Sequence, residues 1–127
     1  MEELTREQEN VRLILIDVAS SKRREPIYYT DLLNRAGLDW DMTNPYMRGQ
    51  LGHLLGSISA YEHAHGRPML SSVVVSKDKL SQSDGFFKLA EELGHGNWQD
   101  LKKSFWGLQE MNRTFDFWGS KTVISNK

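Results

Sequence analysis

Residues 44–64, NPYMRGQLGHLLGSISAYEHA, decide how the rest of the chain is read. Asn44-Pro45 has the form of an N-cap followed by the first helical residue, where proline's missing N–H costs nothing. Met47, Leu51, Leu54, Leu55 and Ile58 then recur at helical spacing and draw one apolar stripe. Gly66-Arg67-Pro68 breaks the pattern, so the spacing predicts a helix over roughly 45–64. A second stripe consists of small residues: Gly49, Gly52, Gly56, Ser59 and Ala60. Each helical glycine costs about 1 kcal/mol relative to alanine. Two things can offset that cost. One is close packing of a neighbouring helix, expected to be residues 10–20, in which case Gly52→Leu overpacks and destabilises the protein. The other is close approach of a ligand or a phosphate backbone.

Toward the N-terminus, Thr5-Arg6-Glu7-Gln8 has the form of a capping box. Val11, Ile14, Leu15 and Val18 share one helical face, which Leu13 and Ile16 widen, so this helix is expected to be central. Pro26 sets an extended entry into the short strand candidate Ile27-Tyr28-Tyr29. Thr30 is the expected cap of a short helix through Leu32, Leu33 and Ala36, which Gly37 ends.

Toward the C-terminus, Met69-Leu70-Ser71-Ser72-Val73-Val74-Val75 is the clearest strand in the chain. It is expected to pair with Ile27–Tyr29. Residues 76–84 form a polar loop. Ser83 or Asp84 caps a helix carrying Phe86, Leu89, Ala90 and Leu93, which Gly94 stops. Asn97 caps a last helix with Trp98, Leu101, Phe105, Leu108 and Met111, and Lys121–Ile124 is a candidate terminal strand.

The chain has 127 residues, a length that suits one domain over 1–127 with a core of its own. It contains no cysteine, which excludes disulfides, thiolate metal sites and a cysteine nucleophile. The longest apolar run, Leu13–Ile16, is far too short to span a membrane. The acidic start Met1-Glu2-Glu3 lacks the basic opening of a signal peptide, so a cytoplasmic protein is expected. The formal charge is -1, which argues against a strongly basic nucleic-acid binder. Of 13 aromatic residues, eight lie beyond residue 85, so the C-terminal third either closes the core or presents an interface.

Helix, short strand, helix, helix, strand is the order of a winged helix-turn-helix domain, with residues 45–64 in the place of the recognition helix. The stretch Pro26-Ile27-Tyr28-Tyr29-Thr30-Asp31-Leu32, with Arg48-Gly49-Gln50-Leu51-Gly52 and Arg67-Pro68 running into Val73-Val74-Val75, resembles the DNA alkyltransferase and alkyltransferase-like domain over residues 10–76. That resemblance implies a DNA-binding fold. The absence of cysteine excludes alkyl transfer. Residues 66–75 followed by Asp84-Gly85-Phe86-Phe87 are also similar to small bacterial modules of uncharacterised activity. Those modules occur alone or beside nuclease-like domains in mobile-element and defence settings, which implies a prokaryotic accessory protein.

Residues able to carry chemistry are few. Glu62-His63-Ala64-His65 has metal-ligand residue types, but two histidines at i and i+2 do not converge on a helix, so no metal is expected. The histidine suits a helix C-terminus through the dipole. Ser71-Ser72 lacks a nucleophile elbow, Glu91-Glu92 has the look of a solvated face, and Gly94-His95-Gly96-Asn97 is not a phosphate loop. With no nucleophile, base and orienting group to assemble, no enzyme activity and no cofactor are expected. Among basic residues, Arg48, Arg67, Lys77 and Lys79 are the candidates for nucleic-acid contact, with Asp78 and Asp84 opposing the two lysines. Arg67 is also placed to reach a carboxylate or carbonyl at the end of the preceding helix.

The expected fold is a helix-rich α+β domain of five helices and a small sheet, winged-helix-like in its N-terminal two thirds, with two C-terminal helices. The expected function is that of a non-enzymatic prokaryotic accessory protein contacting DNA or a DNA-bound partner. The alternative is a protein–protein module, such as an immunity or inhibitor protein, that uses Trp106 and Trp118.

Overall fold

Side-chain caps at Thr5, Asn44, Ser83 and Asn97 start four of the helices. A computed structural model describes residues 3–125, with side-chain surroundings for 3–120. The elements are α1 (Arg6–Ala19), β1 (Ile27–Tyr28), α2 (Tyr29–Ala36), α3 (Pro45–Ala64), a 3-10 turn (Leu70–Val73), β2 (Val74–Val75), α4 (Asp84–Glu92), α5 (Trp98–Lys103) and α6 (Trp106–Ser125). At the head of α1 the capping box forms in full: Gln8 N–H donates to Thr5 Oγ1 at 3.1 Å, and Thr5 N–H donates to Gln8 Oε1 at 2.9 Å. Asn44 Oδ1 accepts from Tyr46 N–H at 2.9 Å and Met47 N–H at 3.3 Å. Gly37, at φ 71°, supplies the left-handed residue that ends α2. The cap of α2 is Tyr28, not Thr30, because β1 runs straight into the helix.

The architecture is α+β and helix-rich. Its sheet has two strands, paired in parallel with Ile27 opposite Val74 and Tyr28 opposite Val75. The pairing partners are the expected ones, but the expected seven-residue strand is mostly a different structure. Met69 to Val73 form the entry and body of a buried 3-10 turn, and only Val74–Val75 are strand. The turn packs against α1, α3 and α6, and side chains from outside it satisfy its backbone. Met69 N–H donates to Glu110 Oε2 (2.8 Å), and Ser71 N–H to Ser59 Oγ (3.0 Å). Gln82 Nε2 donates to the carbonyl of Ser72 at 2.8 Å. Buried backbone groups need such partners, and here they come from α3, α6 and residue 82.

Two further expectations are corrected. The single C-terminal helix is two, because Ser104 leaves the helical region (ψ -174°), ends α5 and turns its hydroxyl to Trp106 N–H at 3.2 Å. The candidate strand at 121–124 lies within α6. After β2 the chain closes on itself, Ser76 N–H donating to the Ser81 carbonyl at 3.0 Å, and enters α4 without a further strand.

The larger core gathers Val11, Leu15, Leu32, Ile58, Leu70 and Phe115, with contributions from α1, α2, α3, α6 and both strands. A second cluster, Met69, Phe86, Phe87, Ala90 and Leu101, joins α4 and α5 to the chain entering the 3-10 turn. Leu13 does not widen the buried face of α1, since it is exposed. Much of the C-terminal aromatic content closes these cores. Phe86, Phe87 and Phe115 are buried, while Trp98, Trp106 and Trp118 are half-buried against them. Among the described residues no helix is long and apolar enough to cross a membrane.

Candidate nucleic-acid interface and a cleft at the end of α3

Helix α3 has 20 residues and so spans roughly 30 Å, with a different surface at each end. Its buried stripe is Leu51, Leu54, Leu55, Ile58, Ser59 and Glu62. One side of the first two turns is open to solvent, while Leu51 on the other side lies in the core. Tyr46 is 73% exposed, and Arg48, Gly49, Gln50, Gly52 and His53 are exposed with it. Gln50 Nε2 donates to the Tyr46 hydroxyl at 3.1 Å. No ion pair involves Arg48 among the described residues.

The glycine stripe does not pack against α1. A Cβ built on Gly49 or Gly52 meets nothing within 4 Å, and one on Gly56 meets only Leu89 of α4, at 3.8 Å. The expected helix-on-helix offset is therefore absent at Gly49 and Gly52. Their cost is borne on an open helix surface.

Lys77 and Lys79 lie in the exposed loop after β2, Lys77 with its ammonium 6.0 Å from the centre of the Tyr28 ring. Asp84 accepts from Lys102 Nζ at 2.6 Å and also feels the charge of Lys79. That hydrogen bond, helped by the charges of Lys102, Lys88 and Lys79, holds its carboxyl below the usual range. Arg67 belongs to the other end of α3. Its Nε donates to Glu62 Oε1 at 2.5 Å, so it reaches the carboxylate expected of it and stands apart from the first turns of the helix.

At that end Glu62 is fully buried and carries two guanidiniums, Arg67 on Oε1 and Arg12 on Oε2. Burial pulls the Arg12 pKa down, but the hydrogen bond and charge of Glu62, with Glu9 beside it, more than offset this and hold it above its ordinary value. A cleft of about 360 Å³ opens next to this cluster, with His63, Arg67, His95, Glu110 and Arg113 on its walls. Glu110 is buried as well. Its Oε2 accepts from Met69 N–H, and its Oε1 accepts from Arg113 Nε at 2.7 Å. Arg113 lies over the Trp106 ring, and the rings of His63 and His95 meet edge to face, 5.6 Å between centres. His65 turns away and bonds the Tyr61 carbonyl through Nδ1 at 2.8 Å. Among the described residues no three His, Asp or Glu side chains converge as a metal site.

Sequence reasoning missed this cleft. The signal for Glu62 was present: Leu51, Leu55, Ile58 and Glu62 step by 4, 3 and 4, which carries a carboxylate onto the buried stripe. No comparable spacing announced His95, which reaches the cleft through the turn between α4 and α5. Ser71 and Ser72 act as internal hydrogen-bonding groups: Ser71 Oγ lies 2.7 Å from Ser59 Oγ, and Ser72 Oγ 2.8 Å from Thr114 Oγ1.

No family model matches the chain, and neither a curated protein nor a solved structure does.

Proposed function

We propose that this chain is a non-enzymatic, winged-helix-like accessory protein of a prokaryote that contacts DNA, or a partner bound to DNA, through the first turns of α3. The observation that carries the reading is the open glycine surface. Gly49 and Gly52 give up helix stability with no protein neighbour to benefit from it. A helix without Cβ bulk on its exposed side can lie close against a phosphate backbone. Arg48, Gln50 and His53 share this exposed part of α3, and recognition helices contact base edges through their N-terminal residues. The surrounding order also supports it, with α1, β1, α2 and α3 followed by a strand that pairs with β1. Lys77 and Lys79 add two cations from the loop after that strand.

Three cations imply modest affinity, with log affinity falling against log salt at a slope of roughly -3. The test is a duplex titration at low and high salt, for wild type and Arg48→Ala. Binding that weakens steeply with salt and falls in the variant supports the reading. Absence of binding at low salt rejects it.

A second reading has its own observation. Phe105 and Leu108, at the α5–α6 junction beside Trp106, are 78% and 54% exposed. Adjacent apolar side chains in water suit a protein partner. In that reading this pair leads the contact, with half-buried Trp106 contributing an edge and Trp118 remaining with the core.

A further inference from the structure

The cleft at the far end of α3 has an unusual division of hydrogen-bonding groups. The carboxylate on its wall, Glu110, and the one beside it, Glu62, are both engaged. Glu62 takes Arg12 and Arg67, and Glu110 takes Met69 N–H and Arg113. Its donors are not. Arg67 spends only Nε on Glu62, and no described residue accepts from its two terminal amino groups. Arg113 directs Nε and Nη2 at one oxygen of Glu110, which leaves Nη1. The ring nitrogens of His63 and His95 make no hydrogen bond to described residues. Two guanidiniums held by buried carboxylates and two imidazoles thus line one recess. Fixing costs entropy in advance and leaves less to be lost when a ligand binds.

We infer that this cleft binds a small phosphate monoester, its oxygens held by Arg67 and Arg113 and flanked by His63 and His95. Forked guanidinium donors match oxyanions of this type. Donors from four side chains can serve three terminal oxygens, where a carboxylate presents two. The volume of about 360 Å³ exceeds what phosphate alone requires and leaves space for the group esterified to it. The site does not depend on the surface proposed for DNA, since none of Arg48, Lys77 and Lys79 lines it.

The test follows the imidazole resonances of His63 and His95 by NMR while inorganic phosphate, adenosine 5′-monophosphate, adenosine or acetate is added at constant ionic strength. His65, bonded to the Tyr61 carbonyl, is the internal control. Saturable shifts at His63 and His95 are expected with phosphate and the monophosphate, and none with adenosine or acetate. Arg113→Ala should weaken binding by roughly tenfold to a hundredfold, the worth of a charge-assisted hydrogen bond. His95→Ala, which leaves both buried carboxylates untouched, should also weaken it. Three results overturn the inference: no saturable shift up to about 10 mM phosphate, equal shifts with acetate, or unchanged affinity in both variants. Equal shifts from a duplex lacking terminal phosphates would likewise remove the monoester assignment and join the cleft to a nucleic-acid surface.

Discussion

Arg12 and Glu62 lie 50 residues apart in the chain, and their side chains meet inside the protein, Nε to Oε2, at 2.5 Å. The contact ties α1 to the last turn of α3, and Arg67 on the other oxygen ties in the segment that enters the 3-10 turn. Burying three charges together is a weak source of net stability, because desolvation consumes much of the Coulomb gain. Removing one member is a different matter. Glu62→Ala leaves two partly buried guanidiniums without their shared carboxylate, and should lower unfolding free energy by about 3–5 kcal/mol. Urea denaturation measures this directly, and a loss below about 1 kcal/mol would mean that water replaces the carboxylate at little cost.

What was legible in the sequence was chiefly local. Asn44-Pro45 and Thr5-Arg6-Glu7-Gln8 announce helix starts because a cap acts over three residues, and both starts stand where expected. Met69 to Val75 misled because the whole run is buried and has no exposed face to reveal its period. Tertiary partners such as Ser59 and Glu110 then settled its backbone as a turn. Gly49 and Gly52 misled in the opposite sense. A glycine shows that space is needed, and the sequence does not say whether the protein fills it. The cleft combines residues 63, 67, 95, 110 and 113, a juxtaposition that only the packing of α3, α6 and the α4–α5 turn creates.

Gly107 lies in the first turn of α6 against a filled space. A Cβ there meets Gln82 Oε1 at 2.6 Å and the Phe87 ring at 3.1 Å. Gln82 cannot easily yield, because its amide donates to the carbonyls of Ser72 and Gly107 at 2.8 and 3.0 Å. Gly107→Ala should therefore cost about 1–3 kcal/mol by overpacking, against the usual gain of alanine in a helix. Thermal denaturation distinguishes the two: a melting temperature at or above wild type would show that Gln82 repositions freely.

Tyr29 gives stability a pH dependence in alkali. Burial pushes its phenol above the ordinary value, and hydrogen bonding with Ser83 works the other way without cancelling it. The folded chain thus keeps this proton to higher pH than the unfolded chain. The contribution is complete below the unfolded value near pH 10 and is lost as pH rises through the folded value. Tyr29→Phe has no proton to lose, so the stability of wild type relative to the variant should decline above about pH 10. A difference that stays constant from neutral pH into that range would show that the phenol titrates alike in both states.

The open glycines allow stability and binding to be moved in opposite directions. At Gly49 and Gly52 no neighbour lies within 4 Å of a built Cβ, so alanine fits without strain. Each substitution should stabilise the protein by about 0.5–1 kcal/mol through reduced chain entropy in the unfolded state. Even Gly52→Leu should fold, contrary to the overpacking expected from the sequence. If DNA lies against this surface, the same added carbons hold the phosphate backbone away, and affinity should fall although the protein is more stable. Arg48→Ala should reduce the salt slope by about one, because one fewer phosphate is neutralised. The glycine variants should leave that slope unchanged while weakening binding, since they remove no charge. Urea melts and duplex titrations on the same samples check both halves. Alanine variants that gain stability and bind DNA as well as wild type would exclude the first turns of α3 from the contact, and would move attention to Phe105 and Leu108.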